Sequence, residues 1–195
     1  MAQLNGKIHE VIVTTLSSEG RPHSAPMGIS EVNGYFIIRP FKPSATYNNL
    51  KQHRQCTINY TDDVRVFAGA LTGRRDWTTL PCQQIEGHYL SDALAHAELE
   101  IVAFDDSDSR AVFKAAVICE VNHSPFRGFN RAQSAVIEAA VLVSRLTMLP
   151  AEKIQQEIAY LTIAIEKTAG PRELEAWGWL RAKIKDAGIE LTDND

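Results

Sequence analysis

Cysteine is scarce in this chain of 195 residues, which has only Cys56, Cys82 and Cys119. An odd number at wide spacing argues against both a disulfide framework and a structural zinc site. Reduced thiols in or near a core are the expectation. No apolar run approaches the roughly 18–20 residues of a membrane span, and no basic-then-apolar leader opens the chain. A cytoplasmic protein without a membrane partner is expected. Positive charge is not in excess: the formal net charge is −4, which gives no general attraction to nucleic acid or anionic lipid. The six histidines show no HExxH or paired His/carboxylate spacing, so no metal site is expected. Glycine-rich phosphate cradles (GxGxxG, GxxxxGK[ST]) and the GxSxG elbow are also missing, and no catalytic side chain stands out.

What is present is a strand-rich first part. Residues 10–16 (EVIVTTL) are rich in β-branched side chains and are broken by Ser18-Glu19-Gly20 before a second run at 23–29. Asn33-Gly34 then separates that run from 35–39 (YFIIR), a strong hairpin signal. Pro40 and Pro43 lead into a short helix over 44–53, with Ser44 as cap and Leu50 facing inward. Residues 55–60 return to strand, 64–71 (VRVFAGAL) read as strand or a mixed apolar run, and 72–96 are loop-rich. Two further strands, 97–105 and 111–122, flank an acidic turn at 105–109. That turn lacks the glycine and distal glutamate of a calcium loop, so a solvated hairpin tip is expected.

From Asn130 the pattern becomes helical. Asn130 with Gln133 makes a capping-box start, and apolar residues recur at helical spacing over 131–147, 150–167 and 171–187, leaving 191–195 as a frayed tail. The whole is an α+β pattern: an antiparallel unit of six or seven strands, most economically a small barrel, and then a C-terminal helical extension. The expected division is 1–125 for the barrel and 126–190 for the helices.

Two constellations carry chemistry. Arg39, Lys42, Ser44 and Thr46 surround the turn that opens the first helix. A cation and hydroxyls beside free helix-start N–H groups suit a phosphate. Asn48 or Asn49 can add an amide, and Lys51 a second positive charge. On spacing alone, a capped surface helix fits equally well. The second constellation is HSAPMGI at 23–29, where small residues and Pro26 break strand alternation. Such a strand leaves N–H and C=O groups near Met27 and Gly28 for the edge of a planar heterocycle, or is an edge strand with a structural bulge.

At these residues the chain resembles the FMN-binding split-barrel superfamily, and more closely the prokaryotic proteins grouped as domain of unknown function 447. The carriers are EVIVTT (10–15), SAPMG (24–28), RPFKPSATYNNL (39–50), NYTDD (59–63) with Phe67, and FNRAQSAVIEAAVLVSRL (129–146). The resemblance implies a six-stranded antiparallel Greek-key split β-barrel that forms a homodimer with FMN at the subunit interface. It implies that Ser24, Ala25, Pro26, Met27 and Gly28 line the isoalloxazine, while Arg39, Ser44, Thr46 and Tyr47 hold the ribityl phosphate. Asn48 and Lys51 would assist, and Asn130 and Arg131 would close the site. The superfamily spans oxidases, flavin reductases and redox carriers, so the implied function is an FMN flavoprotein of unassigned reaction. A non-catalytic flavin carrier or sensor, or a binder of a deazaflavin, is the alternative.

Overall fold

The computed structural model describes residues 7–108 and 110–191. Ser109 of the acidic turn and the last residues of the expected frayed tail lie outside them. The chain forms two compact units, residues 1–61 with 76–126, and residues 62–75 with 127–195.

The first unit is a closed barrel. Its strands are β1 (Ile8–Leu16), β2 (Pro22–Val32), β3 (Tyr35–Ile38), β4 (Gln55–Tyr60), β7 (Ala95–Asp105) and β8 (Val112–Asn122), in the order β1-β2-β3-β8-β7-β4. Every neighbouring pair is antiparallel. The β2–β3 turn is built as the Asn33-Gly34 pair dictates: φ is 52° at Asn33 and 75° at Gly34, the two positive values of a type I′ hairpin. After β3 the chain crosses one end of the barrel as α1 (Ala45–His53) and returns beside β1 as β4. Leu50 anchors that crossing. It is fully buried among Val11, Val13, Ile29, Ile38, Ile58, Leu99 and Phe113, and such burial contributes roughly 1.5–3 kcal/mol.

The sequence reads 72–96 only as loop-rich, but the chain there forms a small hairpin, β5 (Thr79–Pro81) with β6 (His88–Leu90). β6 packs against β1 and β4. That contact explains why β1 does not alternate: from Val11 to Leu16 it is buried on both faces.

The second unit holds α2 (Arg65–Leu71), α3 (Arg131–Val143), α4 (Ala151–Thr168) and α5 (Pro171–Asp186). The run at 64–71 is therefore a helix and not a strand. Val64, Phe67, Ala68 and Leu71 fall at i, i+3, i+4 and i+7, which puts them on one face, and Val64 and Ala68 join the core formed by α3, α4 and α5. α3 stops at Val143, short of the expected 147. Asn130 caps it as expected, taking the N–H groups of Ala132 and Gln133 on its Oδ1. Gln133 does not close the capping box, however: its side-chain amide donates to Glu173 Oε1 at 3.2 Å.

Candidate cofactor-binding site

The barrel is split at β2. This strand pairs with β1 from Pro22 to Ser30 but with β3 only over Ser30–Val32. Among the described residues, Ser24 to Gly28 have no strand on their second edge. In an antiparallel pair alternate residues turn N–H and C=O away from their partner, so this edge offers backbone groups to a planar ligand. Pro26, opposite Ile12, sits where a strand that lacks one ladder can hold it.

The register divides the SAPMG segment between two faces. Ala25 and Met27 oppose Val13 and Val11, and Met27 packs on the barrel core. Ser24, Pro26 and Gly28 oppose Thr14, Ile12 and Glu10 on the other face. Gly28 has a close neighbour within its own sheet: a Cβ there would lie 3.0 Å from Cγ2 of Ile8.

The segment that follows β3 leads into α1. Arg39 follows Ile38 directly and is exposed. Among the described residues it has no hydrogen-bond or ionic partner. Ser44 caps α1, its Oγ accepting the Tyr47 N–H at 3.1 Å. The N–H groups of Ala45 and Thr46, at the open end of the helix, have no partner among the described residues, as expected for a first turn. Thr46, Asn49 and Leu50 form the buried face of α1. Asn49 docks the helix onto β1, its Nδ2 donating to Thr15 Oγ1 at 2.9 Å, and Thr15 in turn donates to the His23 carbonyl of β2 at 3.4 Å. The open stretch of β2 is thus bracketed by the departure of β3 at one end and by α1 at the other.

Tyr47 and Lys51, one turn apart on α1, face a different partner. Tyr47 Oη donates to Asp106 Oδ2 at 2.7 Å, Lys42 Nζ donates to Oδ1 at 2.8 Å, and Lys51 Nζ donates to Tyr47 Oη at 3.2 Å while lying 3.6 Å from Asp106. The hydrogen bonds from Lys42 and then Tyr47 hold the Asp106 carboxyl below its ordinary range, and the bond to Tyr47 raises the Lys51 ammonium. Asn48 is exposed. Among the residues expected to hold the phosphate, Ser44 and Thr46 lie at the start of α1, Thr46 on its buried face, and Arg39 is exposed on the segment between β3 and α1. In the second unit, Asn130 is engaged locally: besides capping α3, its Nδ2 donates to the Thr168 carbonyl at 2.9 Å. Arg131 is exposed on the first turn of that helix.

Two polar groupings under the β5–β6 hairpin were not anticipated by motif spacing. In one, Asn59 is fully buried; its Oδ1 accepts the Leu90 N–H at 2.7 Å, and its Nδ2 donates to the Ile12 carbonyl at 2.9 Å and to Thr14 Oγ1 at 3.0 Å. Thr14 Oγ1 lies 2.8 Å from Ser24 Oγ, at the open strand. In the other, the buried Glu98 carboxylate accepts the N–H groups of Gln83, Gln84 and Ile85 at 2.9, 2.7 and 3.1 Å and touches His96 at 3.3 Å. His96 Nδ1 meets His123 Nε2 at 2.8 Å, and Tyr89 stacks on His96 with centroids 4.0 Å apart. Burial opposes charge on Glu98, but the loop N–H donors and His96 outweigh it and hold the carboxyl below its ordinary value. Burial pushes His96 down, so it is neutral near pH 7. The signal that could have found this layer is a row of polar residues (Thr14, Thr57, Asn59, His96, Glu98) at strand spacing within otherwise buried strands. Burial pushes the Cys56 and Cys82 thiols up to about 12, which keeps both protonated near neutral pH.

Solved structures share this architecture. The FMN-bound protein of the DUF447 family from Methanosarcina mazei aligns with a TM-score of 0.78 at 21% identity, over 92% of this chain and 96% of that one. The 2-nitrobenzoate 2-nitroreductase of Pseudomonas fluorescens aligns at 0.52 with 16% identity, over 62% of this chain and 67% of its own. An FMN-binding protein from Thermus thermophilus aligns at 0.51 with 13% identity, over 62% and 72%. At these identities the likeness shows the fold. No functionally curated protein matches the sequence. The family model for the N-terminal domain of the protein of unknown function DUF447 matches residues 9–124, and the DUF447 model that follows it matches residues 130–182. The chain belongs to the DUF447 family.

Proposed function

We propose that this protein binds FMN noncovalently at the split between β2 and β3 and serves as a cytoplasmic, homodimeric redox flavoprotein. The observation that carries the reading is the open edge of β2, together with a helix start whose first two N–H groups, and an Arg39 whose guanidinium, have no partner among the described residues. The donor set fits the ligand. A ribityl phosphate needs a cation and converging N–H and O–H donors, which Arg39, Ser44, Thr46 and the start of α1 supply. The nearby carboxylate, Asp106, is already balanced by Lys42 and Lys51. The FMN carried by the Methanosarcina mazei family member supports the same ligand here.

FMN, when bound, supplies the electron or hydride chemistry. The protein's part is to hold the phosphate, to seat the ring along Ser24–Gly28 and to set the polarity of the groups that meet it. Arg39→Ala tests this division. The variant is expected to weaken FMN about tenfold or more while changing riboflavin affinity less than about twofold, because the lost partner is the phosphate. Equal losses for the two ligands would place Arg39 outside the phosphate site. Light scattering after size exclusion, with and without FMN, checks the dimer; a monomer in both states would contradict it.

A further inference from the structure

We infer that Asn59 and Thr14 are positioning residues that make Ser24 a hydrogen-bond donor toward an acceptor atom of the bound heterocycle, a ring nitrogen or a carbonyl oxygen. This rests on the proposed flavin site and specifies how one side chain meets the ring.

The chain of hydrogen bonds has one workable direction. The Leu90 N–H can only donate, so the atom of Asn59 that receives it at 2.7 Å is the oxygen. The amide of Asn59 is thereby fixed, and its nitrogen must donate to the Ile12 carbonyl and to Thr14 Oγ1. Thr14 is 1% exposed, and among the described residues the acceptor within reach of its own proton is Ser24 Oγ at 2.8 Å. Were Ser24 to donate instead, the Thr14 proton would be buried without an acceptor, and a buried donor left unpaired is strongly disfavoured. Thr14 therefore donates to Ser24. Ser24 is half-buried on the open edge of the split barrel, so its own O–H is left to point outward.

A donor at that place discriminates between the redox forms of a flavin. Reduction adds electron density to the ring's acceptor atoms, and a fixed O–H favours the more electron-rich form. Thr57, the other hydroxyl near Asn59 at 3.4 Å, donates to the His88 carbonyl at 2.8 Å and so does not compete for the role.

The test is the midpoint potential of bound FMN, together with separate titrations of oxidised and reduced FMN, in the full chain. Ser24→Ala is expected to lower the ratio of reduced to oxidised affinity about tenfold, which is ~30 mV for a two-electron couple. Thr14→Val is expected to give a smaller fall in the same direction, and Thr14→Ser to restore the parent value. A merely structural Thr14 would lower the melting temperature and leave the potential unchanged. Should Thr14→Val not fold, Ser24→Ala alone decides. If Ser24→Ala weakens both redox forms equally, or leaves both unchanged, Ser24 is not the donor and the inference is wrong while the flavin site stands. If the parent chain takes up no FMN, the inference is overturned along with the site.

Discussion

Asn48 and Asn49 are adjacent on α1 but face different surroundings. Asn48 is exposed, whereas Asn49 is 7% exposed and ties the helix to Thr15 of β1. Asn49→Ala leaves Thr15 without a donor and opens a gap beside Leu50. It is expected to cost about 1–3 kcal/mol in urea denaturation, with Asn48→Ala within about 0.5 kcal/mol of the parent. The reverse ranking would mean that α1 presents its other face to the barrel. At this scale the sequence is legible where chemistry is local. Ser44 as cap and the free N–H groups behind it follow from a few neighbouring residues. The destination of Tyr47 is not local: Asp106 lies 59 positions along the chain, and nothing in the helix sequence points to it. The polarity of Ser24 is hidden for the same reason, since it is set by Asn59 and Leu90 on distant elements.

Among elements, the strands with β-branched cores and the Asn33-Gly34 hairpin were readable because their signals are repeated over several residues. β5 and β6, each of 3 residues, are too short to show a period, and the loop between them is held by a carboxylate on β7. Glu98→Gln replaces that charged acceptor of three loop N–H groups with a neutral amide that offers a single oxygen. It is expected to destabilise the barrel by roughly 1.5–3 kcal/mol in thermal or urea melts; an unchanged melt would show that the loop holds itself. The pH dependence has a definite sign. His96 binds its proton less readily folded than unfolded, so stability falls as pH drops below its ordinary value of 6.5. Glu98 is also depressed, so its contribution is present above its ordinary value of 4.5 and is lost as pH falls further. A melt series from pH 8 to pH 3 should therefore decline in two stages, and His96→Phe should remove the first. A flat profile between pH 7 and pH 5 in the parent would contradict the assignment of neutral, buried His96.

At the scale of the molecule, the described residues form two hydrophobic cores, one inside the barrel and one among the helices. The composition change near 126–130 marks where α3 begins but says nothing of residues 62–75, which belong with the helices. α2 is short and, after Arg65, apolar throughout, and only its 3.6-residue spacing tells it from a buried strand. A fragment ending at residue 126 keeps Val64 and Ala68 but loses the α3–α5 side chains they pack against. It is expected to bind a hydrophobic dye and to aggregate, whereas the full chain does neither; a monomeric, dye-negative fragment would show that α2 needs no helical partner.

Titration of the purified full chain with FMN decides whether the split in this barrel is an FMN site. The absorption spectrum from about 350 to 500 nm and the quenching of flavin fluorescence are followed together. Saturable quenching together with a shifted, structured visible band is the expected result. A colourless protein that leaves FMN fluorescence unquenched at every concentration would contradict it.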